Sequence, residues 1–234
     1  PKGYSFDFIN YDVIMNYMDV ENGLFTLSSS GMNYKVMVLP ELETMRPELL
    51  RKISSLVEKG GIILGNPPKR SPSMQNYPKC DTLVKELVDQ LWPNPDNGSL
   101  KQATFRKGKV YSNISLEDVF ENINTPPDVI INKDLPVLWI HRSLPNMQIY
   151  FLTNQSDEKI SFNAGFRVED MQPEWWNPVN ASIHALPEYK QSGNSIFIPL
   201  ELEPYESGFV VFVKKARQAE TNRNFPDYSV IKEI

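Results

Sequence analysis

The side chains best suited to nucleophilic or acid/base chemistry near neutral pH are one cysteine and two histidines, and they are widely spaced in this chain. The only cysteine, Cys80, lies in the tetrapeptide Pro78-Lys79-Cys80-Asp81, just before a predicted helix. A cysteine nucleophile needs a neighbouring base, and no histidine partner for Cys80 can be identified. We expect an ordinary helix-start residue, with a nucleophilic role for Cys80 as the alternative. A single cysteine also excludes an internal disulfide.

The two histidines do not form a recognisable site. His141 lies in a predicted strand, on the same face as Trp139, and we expect a structural role for it, with acid/base chemistry or ligand binding as the alternative. His184 stands alone, and two histidines without cysteines or carboxylates at ligand spacing make no metal motif. We therefore expect no metal and no cofactor.

Carboxylates are plentiful, but no local pattern pairs them. Glycoside hydrolysis needs two carboxylates that face each other across a sugar, and proximity in sequence cannot establish this. We interpret these groups as solvated strand ends and name no catalytic residue. They lie in two clusters, Glu169, Asp170 and Glu174 beside a tryptophan pair, and Glu201, Glu203 and Glu206 around a predicted strand.

The aromatic residues leave more room for a function. Trp175, Trp176 and Tyr189 are the candidate carbohydrate-binding residues, and Tyr205 is a fourth aromatic of the same kind. An aromatic face packs against the apolar C–H surface of a sugar while its polar edge stays wet. Core packing is the alternative. Adjacent tryptophans in a strand point to opposite faces, so at most one of the pair would normally be buried.

Composition limits the classes of partner. The chain has 234 residues and a formal net charge of -5. A negative net charge argues against a nucleic-acid partner or an anionic membrane, because both usually require a basic face. No apolar run approaches the roughly 18 residues of a membrane span.

The first half reads as an α/β domain, assigned to residues 1–124. Residues 36–39 and 62–64 are predicted parallel strands, joined by a helix that opens at Pro47. No phosphate-binding glycine motif accompanies this unit. Further predictions are a helix over 13–18 capped by Asp12, a helix after 81 capped by Asp81, a turn over 94–99, a hairpin over 103–110 and a helix over 116–123.

From Thr125 the pattern changes to short β-rich runs separated by turns. They are predicted over residues 129–131, 137–142, 148–153, 159–168, 181–186, 195–202 and 208–213. Such a series favours an antiparallel β-sandwich, assigned to residues 125–216. Residues 217–234 are polar and are predicted to form a linker toward a further domain.

Two sets of segments carry a family resemblance. Residues 3–10, residues 34–40 and Gly60-Gly61 form the first set. The second set comprises Trp139-Ile140-His141-Arg142, residues 149–154, 166–168, 173–178 and 207–212. The first set resembles the flavodoxin-like, glutamine-amidotransferase-like domain that follows the catalytic barrel in several large glycoside hydrolases. The second set resembles glycoside hydrolase family 106, the α-L-rhamnosidases.

The resemblance implies a parent enzyme that removes terminal α-L-rhamnose from plant polysaccharide with inversion. Its two catalytic glutamates lie on a barrel that would precede Pro1, and neither matches a position here. The resemblance therefore implies a non-catalytic accessory fragment that packs against that barrel, in a secreted or periplasmic parent. A carbohydrate-binding module for a rhamnose-containing glycan and an independent enzyme are the second and third alternatives.

Overall fold

The computed structural model describes residues 2–93, 101–131 and 134–225. The chain groups into two compact units, one of residues Asp7–Thr125 and one that combines Pro1–Phe6 with Pro126–Ile234. The boundary at Thr125 lies beside the predicted domain break. Residues 2–6, which the sequence assigned to the first domain, group with the second unit instead.

A strand–helix–strand element lies at the centre of the first unit, as predicted. Strand β4 (Met37–Val38) and strand β5 (Ile62–Leu64) pair in parallel. Helix α2 (Pro47–Glu58) connects them, with a proline in its first turn. The helix buries Leu50 and Ile53 among other apolar residues, at the spacing that places them on one face.

The remaining elements of the first unit extend this sheet and add a smaller one. Strand β7 (Gly108–Tyr111) pairs in parallel with β5, and β6 (Gln102–Phe105) pairs antiparallel with β7 as the predicted hairpin. The sheet order is β4-β5-β7-β6. A separate antiparallel sheet contains β1 (Met18–Glu21), β2 (Leu24–Leu27) and β3 (Asn33–Tyr34). The other helices are α1 (Tyr11–Tyr17), α3 (Lys79–Leu91) and α4 (Leu116–Asn122).

Two predicted helix caps are wrong. Helix α1 begins at Tyr11, so Asp12 lies within its first turn, and the helix is capped by Asn10, whose side chain accepts a hydrogen bond from the Val13 amide. Helix α3 begins at Lys79, so Asp81 lies within its first turn. The Asp81 carboxylate accepts a bond from the Ser71 amide and fixes the preceding loop instead. The turn predicted over 94–99 lies outside the described residues.

The second unit contains two antiparallel sheets. The five-stranded sheet has the order β13-β12-β16-β10-β9, and the four-stranded sheet has the order β14-β15-β11-β8. The strands are β8 (Val129–Ile131), β9 (Val137–Leu144), β10 (Met147–Asn154), β11 (Ile160–Phe166), β12 (Gln172–Trp176), β13 (Ile183–Ala185), β14 (Lys190–Ser192), β15 (Ser195–Leu202) and β16 (Ser207–Val213). Strands β12 and β14 were not among the predicted runs.

One apolar cluster draws on both sheets of the second unit. Tyr150 and Phe212 from the five-stranded sheet are fully buried in it, together with Phe166 and Ile198 from the four-stranded sheet. Alternate residues of the longer strands, such as β10, β11 and β15, point into this cluster, because successive side chains of a strand lie on opposite faces. Each strand therefore leaves a second set of side chains on the outer face of its sheet.

Part of the predicted linker is packed and not free. Asn224 is 1% exposed, and its side-chain amide donates to the carbonyl oxygens of Glu188 and Pro199. Arg217 donates its amide to the Glu174 carboxylate. Residues 217–225 thus belong to the second unit, and the rest of the predicted linker lies outside the described residues. None of the described helices is long and apolar enough to cross a membrane.

Candidate functional site

Trp175, the first predicted sugar-binding residue, lies in the protein interior. Its side chain is 2% exposed. The indole ring rests directly on the backbone of Gly208, where a Cβ atom would come within 2.1 Å of it. Phe225 meets the ring edge-on at 5.8 Å between centroids. A sugar contact by Trp175 would require this buried ring to be uncovered, so Trp175 is the least accessible of the three candidate residues.

Trp176 points to the opposite side of the same strand, as the alternation of strand residues requires. There it joins a row of apolar side chains that crosses all five strands of its sheet in register. We call this the outer apolar row, and its members in order across the sheet are Ile140, Phe151, Phe209, Trp176 and Ile183.

The outer apolar row is half-buried to exposed. Ile140 is 45% exposed, and the Phe151 and Phe209 rings contact each other with centroids 5.0 Å apart. The Trp176 ring lies on the outer face, where its indole N–H donates to the Glu174 carboxylate at 2.9 Å. The sequence did not predict this row, since its members lie on five strands and meet only through the strand register.

Tyr189 lies apart from both tryptophans. It is 38% exposed and borders a groove of about 590 Å³ on the outer face of the four-stranded sheet. We call it the Tyr189 groove, and its lining residues are Asn163, Glu188, Tyr189, Lys190, Ser192, Phe197 and Pro199. The structure thus distributes the three predicted sugar-binding residues over the core, the outer apolar row and this groove.

A buried polar network surrounds Asp128. One carboxylate oxygen lies 2.8 Å from His141 Nδ1, and the other accepts bonds from the Tyr150 hydroxyl at 3.2 Å and from Arg167 at 3.1 Å. His141 Nε2 lies 2.8 Å from the Gln148 side-chain oxygen. The His141 ring also stacks on Tyr150 at 4.0 Å. Both nitrogens of His141 are occupied, which supports the structural role expected from the sequence.

The charge of Asp128 reflects a balance of opposing effects. Burial alone would raise the pKa of this carboxyl group. The hydrogen bond and charge of His141, together with Arg167 and Tyr150, outweigh burial and hold the pKa of Asp128 below its usual value. Burial and the neighbouring Asp128 raise the pKa of the Tyr150 hydroxyl. Asp128 therefore stays ionised and orders the start of β8.

The remaining candidate residues are not brought together. Cys80 is buried, with Sγ 3.6 Å from the Ser73 carbonyl oxygen, and has no histidine beside it among the described residues. His184 meets Phe225 edge-on. Glu201 and Glu203 both pair with Lys159 at 2.9 and 3.0 Å. Within the described residues, no group of three or more histidines, cysteines and carboxylates could hold a metal ion.

Comparison with known proteins assigns the chain to a family. The model of glycoside hydrolase family 106, described as alpha-L-rhamnosidase, matches residues 1–191. The chain belongs to the glycoside hydrolase 106 family. This confirms the resemblance of the second set of segments to family 106.

Comparison with two relatives shows what share of a longer protein this chain corresponds to. The chain is 32% identical over 219 residues to a protein of Formosa agariphila described as "Putative beta-glucuronidase", with 92% of this chain and 18% of that protein covered. The rhamnosidase structure from Novosphingobium sp. PP1Y is 29% identical, with a TM-score of 0.83, and 98% of this chain and 21% of that chain are covered. The chain thus spans about a fifth of the length of these two relatives, and it shares with the rhamnosidase a largely β-sheet fold with few helices.

Proposed function

We propose that this chain is a non-catalytic accessory region of a larger family 106 enzyme, an α-L-rhamnosidase that acts on plant polysaccharide. In this proposal the first unit is a flavodoxin-like, amidotransferase-like domain without a catalytic cysteine. The second unit is a β-sandwich. The region packs against a catalytic barrel elsewhere in the parent polypeptide, and contributes stability or cleft shape without reacting groups.

The observation that carries this proposal is the outer apolar row. Its five members form a continuous band across one sheet face, in which Ile140 is exposed and the other four side chains are partly buried. Soluble proteins rarely leave a large contiguous apolar face uncovered unless it contacts another surface. About four-fifths of each relative's length lies outside the matched region, and this supplies a partner of the right kind.

A charge placed in the row tests the packing role. Ile140→Lys on the exposed edge strand β9 should leave the melting temperature of this chain nearly unchanged, because lysine is tolerated at a half-exposed edge position. In the full-length parent the same change should lower the melting temperature by several degrees, because the ammonium group would then be buried in an interface.

The matched control is Leu42→Lys, at a leucine that is 60% exposed in the first unit. It should leave both melting temperatures unchanged. An equal loss from Ile140→Lys in the chain and in the parent would refute the interface. Release of 4-nitrophenol from 4-nitrophenyl α-L-rhamnopyranoside by this chain alone would overturn the non-catalytic assignment.

A carbohydrate-binding module is the second candidate function. The specific observation in its favour is that Tyr189 stays accessible beside a second aromatic ring, whereas Trp175 does not. The two functions are compatible, since packing would use the five-stranded sheet and sugar binding the four-stranded one.

A further inference from the structure

The Tyr189 groove lies on a sheet face that does not contribute to the outer apolar row. Strands β11, β14 and β15 form its floor, with Lys190 of β14 opposite Phe197 of β15. Gly165 of β11 has no side chain, and a Cβ atom there would come within 2.6 Å of the Phe197 ring. The glycine therefore lets the Phe197 ring lie down across the neighbouring strand and form an apolar floor.

Polar groups surround this apolar floor. The side chains of Asn163, Lys190 and Ser192 are exposed and make no hydrogen bond or ion pair with the described residues. Together they offer an amide, an ammonium group and a hydroxyl, which include both donors and an acceptor. These groups are available to a ligand without breaking an existing contact.

The charges of the groove cancel. Lys190 supplies one positive charge and Glu188 one negative charge. One carboxylate oxygen of Glu188 is already held by the backbone amide of Asn224 at 2.9 Å. A strongly anionic or cationic ligand would therefore gain little from this site, whereas a neutral ligand with many hydroxyl groups would find partners at its rim.

The dimensions also suit a bound sugar unit. The groove of about 590 Å³ is adjoined by a second hollow of about 470 Å³, and the two share Asn163, Glu188 and Pro199. Both volumes fall in the usual range of small-molecule sites. Because the two hollows adjoin and are open to solvent, they suit consecutive units of a chain better than one enclosed molecule.

We infer that the Tyr189 groove binds a neutral pyranose unit of a polysaccharide, with its C–H face on Tyr189 and Phe197 and its hydroxyl groups on Asn163 and Lys190. Aromatic faces pack well against apolar C–H surface, and amide and ammonium groups satisfy hydroxyls. This inference rests on the carbohydrate-binding candidate function and specifies its site and its class of ligand. It does not depend on the packing role, and family membership supplies only the choice of rhamnose as the probe sugar.

Saturation-transfer NMR with an oligosaccharide that ends in α-L-rhamnose tests the groove on the whole 234-residue chain. The wild-type chain should transfer saturation to the C–H protons of the sugar. Tyr189→Ala and Asn163→Ala should each weaken binding about tenfold. Both positions are on the surface, so thermal unfolding of the two variants should match that of the wild type.

Tyr205→Ala is the matched control, because Tyr205 is 69% exposed in the same unit and does not line the groove. It should bind as tightly as the wild type. Absence of transfer from the wild type would overturn the inference, as would unchanged affinity in both groove variants or an equal loss in Tyr205→Ala. The melting temperature of the parent, which reports packing, does not depend on this outcome.

Discussion

At the residue scale, two fully buried tyrosines differ in what their hydroxyl groups contact. The Tyr150 hydroxyl donates to Asp128 at 3.2 Å. The Tyr111 hydroxyl is buried at the end of β7 and has no hydrogen-bond partner among the described residues. A buried polar group without a partner retains its desolvation penalty, so the two residues should respond oppositely to loss of the hydroxyl.

We expect Tyr111→Phe to raise the free energy of unfolding by roughly 1 kcal/mol, because it removes an unpaired hydroxyl and keeps the ring. Tyr150→Phe should lower it by about 1 kcal/mol or more, since Asp128 loses a donor. Urea unfolding followed by circular dichroism measures both. Destabilisation by Tyr111→Phe would show that its hydroxyl is satisfied in solution.

Asp128 gives the second unit a stability that depends on pH. Its pKa is lower in the folded chain than the roughly 3.9 of an unfolded aspartate. The folded state therefore favours the ionised form, and this contribution is fully present above about pH 4. It is lost as the pH falls below that value toward the folded pKa. The network of His141, Arg167 and Tyr150 should loosen in the same range.

We expect Asp128→Asn to destabilise the second unit near neutral pH and to reduce the dependence of its stability on pH below about pH 4. Urea unfolding at a series of pH values measures this. Asp170→Asn, at an exposed aspartate of the same unit, is the control and should retain the wild-type profile. An unchanged profile for Asp128→Asn would contradict the assignment.

At the element scale, one asparagine holds the segment that follows β16. The Asn224 side chain donates to two carbonyl oxygens and accepts a bond from the Glu188 amide at 2.8 Å. The bonds join the segment to the chain around Glu188 and to strand β15. Asn224 is therefore the buried attachment point at the far end of the segment, in addition to the bond between Arg217 and Glu174 near its start, and Phe225 beside Asn224 packs edge-on against Trp175.

We expect Asn224→Ala to release this segment, because it leaves three backbone groups without their partners, each worth roughly 1–3 kcal/mol when buried. Limited trypsin digestion should then cleave after Arg217 and Arg223 faster than in the wild type. Asn222→Ala, at an exposed position in the same segment, should not change the rate. Equal rates in all three proteins would show that the segment is held by other contacts.

At the scale of the whole molecule, each unit has an interior of its own. The first unit buries Phe25, Leu50 and Trp92 in its main cluster, and the second buries Tyr150 and Phe212. A separate apolar core for each unit is what defines a domain physically. The outer apolar row is a further apolar feature of the second unit, and its side chains belong to neither of these cores.

The region that the family model matches includes all of the first unit and part of the second. The chain matches the family model over residues 1–191 but spans about a fifth of its relatives. The acid and base of a glycosidase must face each other across the sugar. The family resemblance matches neither of these two groups to a position in this chain, so the role we propose is packing. The comparison of Ile140→Lys between the chain and the parent tests that role directly.

Local patterns along the chain were enough to predict most of the individual elements and the family. Apolar spacing and turn residues predicted α2, β5, the β6–β7 hairpin and most strands of the second unit, because these patterns are set by residues close together in the chain. The segments that resemble family 106, taken in their order along the chain, predicted the family, and the family model matches the same one. Helix starts were less reliable, since Asn10 and Asp12 are equally good caps by type.

Which side chains contact each other is seen only in the tertiary structure. Alternation predicted that Trp175 and Trp176 face opposite sides, but the packing of Gly208 and Phe225 chose Trp175 as the buried one. The outer apolar row and the contacts of Asp128 join residues that are far apart in the chain. Such contacts depend on strand register, which is fixed by the pairing of whole strands and by the core, and no local pattern encodes it.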